Sequence, residues 1–247
     1  MSIETPEELE AMKTAGRIVR RMLDAMKKAA RSGVTTAELD QIGASVMREH
    51  GAQSAPALVY GFPGVNCISV NDEIVHGIPG KKKLRDGDVL KLDVTIEKDG
   101  YMADAAETVV IGNASKLGRE LAACARRAFE QAAKAARAGN RVNEIGRAVE
   151  AEVRRSGFHV VRELCGHGIG RTIHEEPSVP NYPDPRADEI LTEGLIITIE
   201  PIIASRSGKA VLESDGWTMR TIDRGLAAHH EHTLMITSGA PLLFTAA

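Results

Sequence analysis

Aromatic residues are scarce: four Phe, three Tyr and one Trp make up 3% of the 247 residues. With so few rings the core must rest on aliphatic side chains and alanine, and 43% hydrophobic content suffices for that. Cysteine is scarce too. Cys67, Cys124 and Cys165 are an odd number with no close pair. That excludes a disulfide framework and a thiolate zinc site, and it suits a reducing compartment. No apolar run reaches membrane-spanning length, and the start MSIETPEELEAMK has no apolar signal core. An excess of one charge is also lacking. The balance of 31 basic and 34 acidic residues leaves -3, with no electrostatic reason to expect nucleic acid or an anionic membrane. A soluble cytoplasmic chain is expected, long enough for one large domain or two small ones.

What is present centres on Gly87–Thr108, GDVLKLDVTIEKDGYMADAAET. Val89, Leu90, Leu92, Val94, Thr95 and Ile96 favour strand, and Asp99-Gly100 is a strong hairpin-turn signal. A two-residue loop makes Lys98 face Tyr101 and places Asp93 opposite Ala106. Side chains alternate with period two, so Asp93 and Asp104 share a face as diagonal neighbours. A three-residue loop would break that parity. Two carboxylates on one face of an apolar hairpin repel each other and resist burial, and a bound cation removes both penalties. The plain alternative is a pair of solvated aspartates at a strand end and in a loop.

The rest of the chain supplies helices, strands and a stiff loop. Thr5 caps a first helix, with Pro6 at its first position and Glu8 closing a capping box; the helix should stop near Gly33. Thr35 and Glu38 cap a second helix, which Gly51 ends. From Ser54 to Gly80 strands and loops are expected, with Pro56, Pro63 and Pro79 as breakers. Helices follow at about Leu117–Ala138 and Asn143–Ser156. The chain from Phe158 reads as β-rich, interrupted by a loop at Glu175–Glu193 whose Pro177, Pro180, Pro183 and Pro185 mark a hydrophilic rim.

The chain repeats itself. A shift of 106 residues lays Arg20–Gly51 on Arg126–Gly157 without a gap, with ten of 32 positions identical. KAARSG at Lys28–Gly33 meets KAARAG at Lys134–Gly139, and His76-Gly77-Ile78 meets His167-Gly168-Ile169. Gly87 precedes Asp93 by six residues, as Gly194 precedes Glu200. Asp104-Ala-Ala-Glu-Thr then corresponds to Glu231-His-Thr. One domain over residues 1–247 is expected, made of halves at approximately 5–112 and 113–240, each with two helices and a sheet segment. A pseudo-two-fold would gather Asp93, Asp104, Glu200 and Glu231 at its axis.

Four carboxylates around one point do not all stay ionised without metal, and two divalent cations balance them. An oxygen-rich site with one imidazole suits manganese, iron(II), cobalt or zinc. His167 is the natural imidazole, set in Cys165-Gly-His-Gly-Ile-Gly-Arg171, where three glycines allow close backbone approach. Two ions can bridge and activate water and polarise a carbonyl, the equipment for amide hydrolysis. Donors for the oxyanion and the leaving amine are still needed. His76 and His174, in Gly/Pro-rich loops beside the ligand segments, are candidates, although each could be an ordinary hydrogen-bonded loop residue. His50, His159, His229, His230 and His232 lie on a helix or in runs without a place at the site, and are read as structural.

At these residues the chain resembles the type I methionine aminopeptidases. CGHGIGRTIHEEP at Cys165–Pro177 is the most specific stretch. NDEIVHGIP at Asn71–Pro79, KLDVT at Lys91–Thr95, ITIEP at Ile197–Pro201 and HEHT at His230–Thr233 follow in the expected order. The resemblance implies an α+β "pita-bread" fold of two pseudo-symmetric halves, with the active site between them. It implies two divalent ions held by Asp93, Asp104, His167, Glu200 and Glu231, with Asp104 and Glu231 bridging. Glu200 would shuttle a proton, His76 would assist at the scissile nitrogen and His174 would bind the carbonyl oxygen. Phe62, Cys67 and Trp217 would line the methionine pocket. Ile173, Val59 and Pro56 stand where family members usually or often carry phenylalanine, tyrosine and cysteine. The implied substrates are nascent polypeptides beginning with methionine followed by a small residue. A bacterial-type cytoplasmic monomer fits this reading, with contact to the ribosome left open. Xaa-Pro cleavage on the same fold and a metal-free binding protein are the competing readings.

Overall fold

The computed structural model describes residues 1–246. Helices α1 (Pro6–Ala29) and α2 (Thr36–Glu49) open the chain. Then come β1 (Gln53–Ser54), α3 (Ala55–Tyr60), β2 (Cys67–Val70), β3 (Glu73–Val75) and the hairpin β4 (Val89–Lys98) and β5 (Tyr101–Val110). The second half opens on α4 (Lys116–Ala135) and α5 (Val142–Arg155). It continues through β6 (His159–Val160), β7 (Cys165–Gly168), β8 (Glu175–Pro180), β9 (Ile196–Ile199) and β10 (Ile202–Ala204). It ends with β11 (Ala210–Leu212), β12 (Met219–Thr221), β13 (Ala227–His229), β14 (His232–Met235) and β15 (Leu242–Leu243). Among the described residues no helix is long and apolar enough to cross a membrane.

The hairpin forms in the expected register, with Lys98 opposite Tyr101, Asp93 opposite Ala106 and Thr95 opposite Asp104. Asp99 and Gly100 have φ of 52° and 84°, the two positive values that a two-residue I′ turn requires. β4 is sheathed by β2 and β1 on one edge and β5 on the other. Its buried Leu90, Leu92, Val94 and Ile96 join Met12, Val19, Met22 and Leu23 of α1 in one core. α4 and α5 cover the second half in the same manner, and Ile197, Ile199 and Ile203 pack with Leu121, Phe129, Val149 and Val153. β9 lies in a five-stranded sheet ordered β15-β14-β9-β7-β8, while β10 pairs with β13 and β6.

The two halves are stitched where β5 passes the segment entering β14. Glu231 N–H donates to Ala106 O at 2.9 Å, and Ala106 N–H to Glu231 O at 3.3 Å. The Thr233 hydroxyl accepts from Asp104 N–H at 2.9 Å and donates to Asp104 O at 2.8 Å. The Thr108 hydroxyl does the same for His229, at 2.8 and 2.7 Å. Each half thus contributes one threonine that pins a residue of the other.

Four local expectations need correction. The first helix is capped by Thr5, but its box is not closed. The Glu8 carboxylate takes Glu4 N–H at 2.9 Å and the Arg171 guanidinium at 2.8 Å, and the charged partner outweighs a neutral cap bond. The long helices stop at Ala29 and Ala135, short of the boundaries expected near Gly33 and Ala138. The connecting turns use the glycines Gly33 and Gly139, both at φ 91°. Pro56 does not break structure. It lies in the first turn of α3, where its missing N–H has no helical partner to lose. The proline-rich loop begins as strand β8, paired with β7 at the sheet edge, where Pro177 and Pro180 need donate nothing inward.

Candidate metal centre

Five elements converge on one buried point. Asp93 comes from β4, Asp104 from β5, His167 from β7, Glu200 from the residue after β9, and Glu231 from the link between β13 and β14. Asp104, His167, Glu200 and Glu231 are each at most 8% exposed. Asp104, His167 and Glu231 offer ligand atoms within 4.8 Å of one another, and so do Glu200, His229 and Glu231. His167 Nε2 is 3.5 Å from Glu200 Oε1. Its Nδ1 lies 2.9 Å from Gly168 O, which holds the ring and leaves Nε2 facing the carboxylates. Thr198 links neighbours: its hydroxyl accepts from His167 N–H at 3.1 Å and donates to Glu200 Oε1 at 2.9 Å.

The glycines around His167 serve a role that differs from the expected one. A Cβ on Gly166 would stand 2.6 Å from Thr198 O, and one on Gly168 would stand 2.2 Å from Glu176 O. They let β7 press against its neighbouring strands, and that packing sets where His167 points.

The electrostatics of this cluster are those of anions forced together. Burial, with little opposition, raises Asp93 to about 7. Burial and then the nearby Asp93 raise Glu200 to about 8, against the Thr198 hydroxyl that favours its charge. Asp104 and Glu231 are pushed well above the ordinary carboxylate range, by burial first and by the other carboxylates next. Burial lowers His167 to about 4, which keeps its imidazole neutral and free to ligate. Asp104 Oδ1, Glu231 Oε1 and both ring nitrogens of His229 are buried without a hydrogen-bond partner. Unpaired oxygens and neutral imidazoles at one point match the donor set of a hard to borderline divalent cation. The residues therefore fit a metal.

A cavity of about 180 Å³ opens on the cluster. His76 and His174 both face it. His76 has φ 57°, an uncommon backbone state at the end of β3 that turns the ring toward the cavity. Loss of hydration there, then the nearby His174, lowers its pKa. The His174 ring stands 4.3 Å from the His167 ring, centroid to centroid. Phe62 and Trp217 meet edge to face at 5.2 Å and form the apolar wall together with the buried Cys67.

A model of metallopeptidase family M24 matches residues 10–238. Methionine aminopeptidase 2 of Bacillus subtilis is 43% identical over 247 residues, 99% of each chain. The methionine aminopeptidase of Staphylococcus epidermidis is 41% identical over 99% of this chain and 98% of its own. The chain belongs to the methionine aminopeptidases of metallopeptidase family M24. The crystal structure of methionine aminopeptidase from Thermotoga maritima superposes with a TM-score of 0.96 at 34% identity, covering 100% of both chains. The fold is therefore the pita-bread fold, as the motifs implied.

Two residues of this M24 site lie outside the sequence expectations. Tyr60, on α3, places its hydroxyl 2.5 Å from His174 Nδ1. Nothing in the surrounding residues points to it, because the pairing spans 114 positions. Val59, beside it, is 38% exposed and does not line the cavity, whereas Pro56 and Ile173 do. His229 reads as structural in the sequence, yet it lies inside the cluster, 3.4 Å from Glu231 and 3.8 Å from Glu200. Its parity is a usable signal: His229 and Glu231 are two apart in an extended segment and share a face. His230 and His232 take the other face and pack on Phe129, at 5.4 and 4.9 Å. Their reading as structural stands on that packing.

Proposed function

We propose that the protein removes N-terminal methionine from nascent polypeptides whose second residue is small, using water activated at two divalent ions held by Asp93, Asp104, His167, Glu200 and Glu231. The observation that carries this reading is the convergence of four carboxylates, three of them buried and two with partnerless oxygens, on one cavity with an apolar wall. When bound, such ions supply a nucleophile from water near neutral pH and polarise a carbonyl.

The protein's own groups do the rest. Glu200, a carboxylate once metal is bound, would take up a proton from water and hand it on toward the leaving amine. When the Tyr60 hydroxyl donates to His174 Nδ1, 2.5 Å away, the hydrogen of that ring sits on Nε2, free to donate to a substrate carbonyl oxygen. His76, which also lines the cavity, would assist at the scissile nitrogen. Phe62, Trp217, Cys67 and Ile173 offer apolar, polarisable contact to a methionine side chain. His76→Ala is expected to lower kcat by roughly 10²–10⁴-fold, the usual range for acid–base assistance. Steady-state rates on a Met-Ala peptide check it, and unchanged rate constants would remove His76 from the mechanism.

The same reading treats the chain as one catalytic domain made from a doubled unit. Its supports are the paired helices α1/α2 and α4/α5, the matching φ of 91° at Gly33 and Gly139, and the reciprocal Thr108 and Thr233 contacts.

A panel of Met-Ala, Met-Lys and Xaa-Pro peptides tests the specificity. Release of methionine from Met-Ala alone is expected. Cleavage of Xaa-Pro in preference would point to the prolidase-like activity, and no cleavage of any peptide with metal bound would favour a non-catalytic binding protein.

A further inference from the structure

His229 is the member of the cluster that no motif assigns. It is 2% exposed, and neither ring nitrogen has a hydrogen-bond partner. Its place is not accidental. The Thr108 hydroxyl grips both its N–H and its C=O, and Ile202 of β10 is its register partner. Nε2 stands 3.4 Å from Glu231 Oε2 and 3.8 Å from Glu200 Oε2. Those separations exceed hydrogen-bond distances. They suit donors that share one ion, since two atoms about 2.1 Å from a metal at a tetrahedral angle lie about 3.4 Å apart. The Glu200 carboxylate is flanked on both oxygens, with His167 Nε2 at 3.5 Å from Oε1 and His229 Nε2 at 3.8 Å from Oε2.

We infer that His229 is a nitrogen ligand to a divalent ion held between Glu200 and Glu231, so that the centre carries two imidazoles. This rests on the metal-centre reading above and deepens it. A simple space-filling role would be met as well by an apolar residue, which would not leave a ring nitrogen unpaired beside two carboxylates. A second neutral nitrogen shifts the preference of the site toward zinc, cobalt and iron(II), and away from manganese, which favours oxygen.

Cobalt(II) makes the count visible. The full chain, chelated and then loaded with cobalt(II), is examined by proton NMR in water. Each coordinated imidazole contributes one solvent-exchangeable, strongly shifted N–H resonance. Two are expected, and His229→Gln should remove one. The same variant should lose at least about 10–100-fold in zinc affinity by chelator competition, the loss known for disturbing only a ligand's supporting partner, with little change for manganese. A single resonance in the unaltered chain overturns the inference without any variant having to fold, and so does unchanged zinc affinity in His229→Gln. Cobalt that binds with one imidazole sinks this ligand alone. Cobalt that does not bind at all sinks the metal centre with it.

Discussion

Asp104→Asn is expected to abolish measurable turnover and, with metal chelated, to melt at a higher temperature than the parent chain. The two effects have one cause. Asp104 is 6% exposed, and its carboxyl is held well above the ordinary range by burial and by Asp93 and Glu200. Removing that acid relieves repulsion in the metal-free state, yet it takes a donor from the metal state. The backbone should not move, because Thr233 grips both the N–H and the C=O of Asp104. A ligand at 100 times its Kd raises stability by about 2.7 kcal/mol. The parent should show a metal-induced rise of that kind in thermal unfolding, and the variant should show little. Normal turnover in the variant, or metal stabilisation equal to the parent's, would end the role assigned to Asp104.

The second large effect concerns pH. The stability gap between metal-loaded and chelated protein is expected to widen as pH rises from about 4 to about 8. The sign follows from the raised carboxylates. Above about 4 the unfolded chain has released protons that Asp93, at about 7, and Glu200, at about 8, still hold when folded without metal. Stability of the chelated chain therefore falls with pH through that window, and each tenfold difference in proton affinity between the folded and unfolded chain amounts to about 1.4 kcal/mol. Other buried groups pull the opposite way. His167 and His229, lowered to about 4 and about 3, add stability as pH rises toward 6.5. Lys91, lowered to about 7, adds it above that value. Between about 6.5 and 8 the histidines are neutral in both states, and the carboxylates dominate. Metal needs the acids deprotonated, so loading releases protons and reverses their contribution. Paired thermal scans across pH 5–8, with metal and with chelator, measure the gap. A gap that stays flat would mean the carboxylates do not converge as described.

Much of the fold is readable one segment at a time. The Asp99-Gly100 turn sets the parity of β4 and β5, and with it the shared face of Asp93 and Asp104. Caps at Thr5 and Thr35 open both N-terminal helices. These are local effects, decided by φ preferences and by hydrogen bonds between residues a few positions apart, so they survive without knowledge of the rest of the chain. His167, Glu200 and Glu231 stand out differently, by the internal repeat and by motif stretches that resemble the methionine aminopeptidases, and the fold brings all three to one cavity.

Local expectations fail where a distant partner intervenes. Glu8 leaves its cap for Arg171, 163 positions away. The prolines of β8 become strand because β7 has one edge to offer. Tyr60 joins His174 through a contact that has no signature in the neighbouring residues, and His229 enters the acidic cluster with only its parity to Glu231 as a local sign.

The chain alone thus pointed to Asp93, Asp104, His167, Glu200 and Glu231 as a group and put Asp93 and Asp104 on one face of the hairpin. The folded molecule decided their company: which acids lose their water, which imidazoles stand between them and which threonines clasp the two halves. The division has a physical root. Turns and pleats act over a few bonds, whereas burial and electrostatic repulsion depend on everything within a few ångströms, whatever its place in the chain.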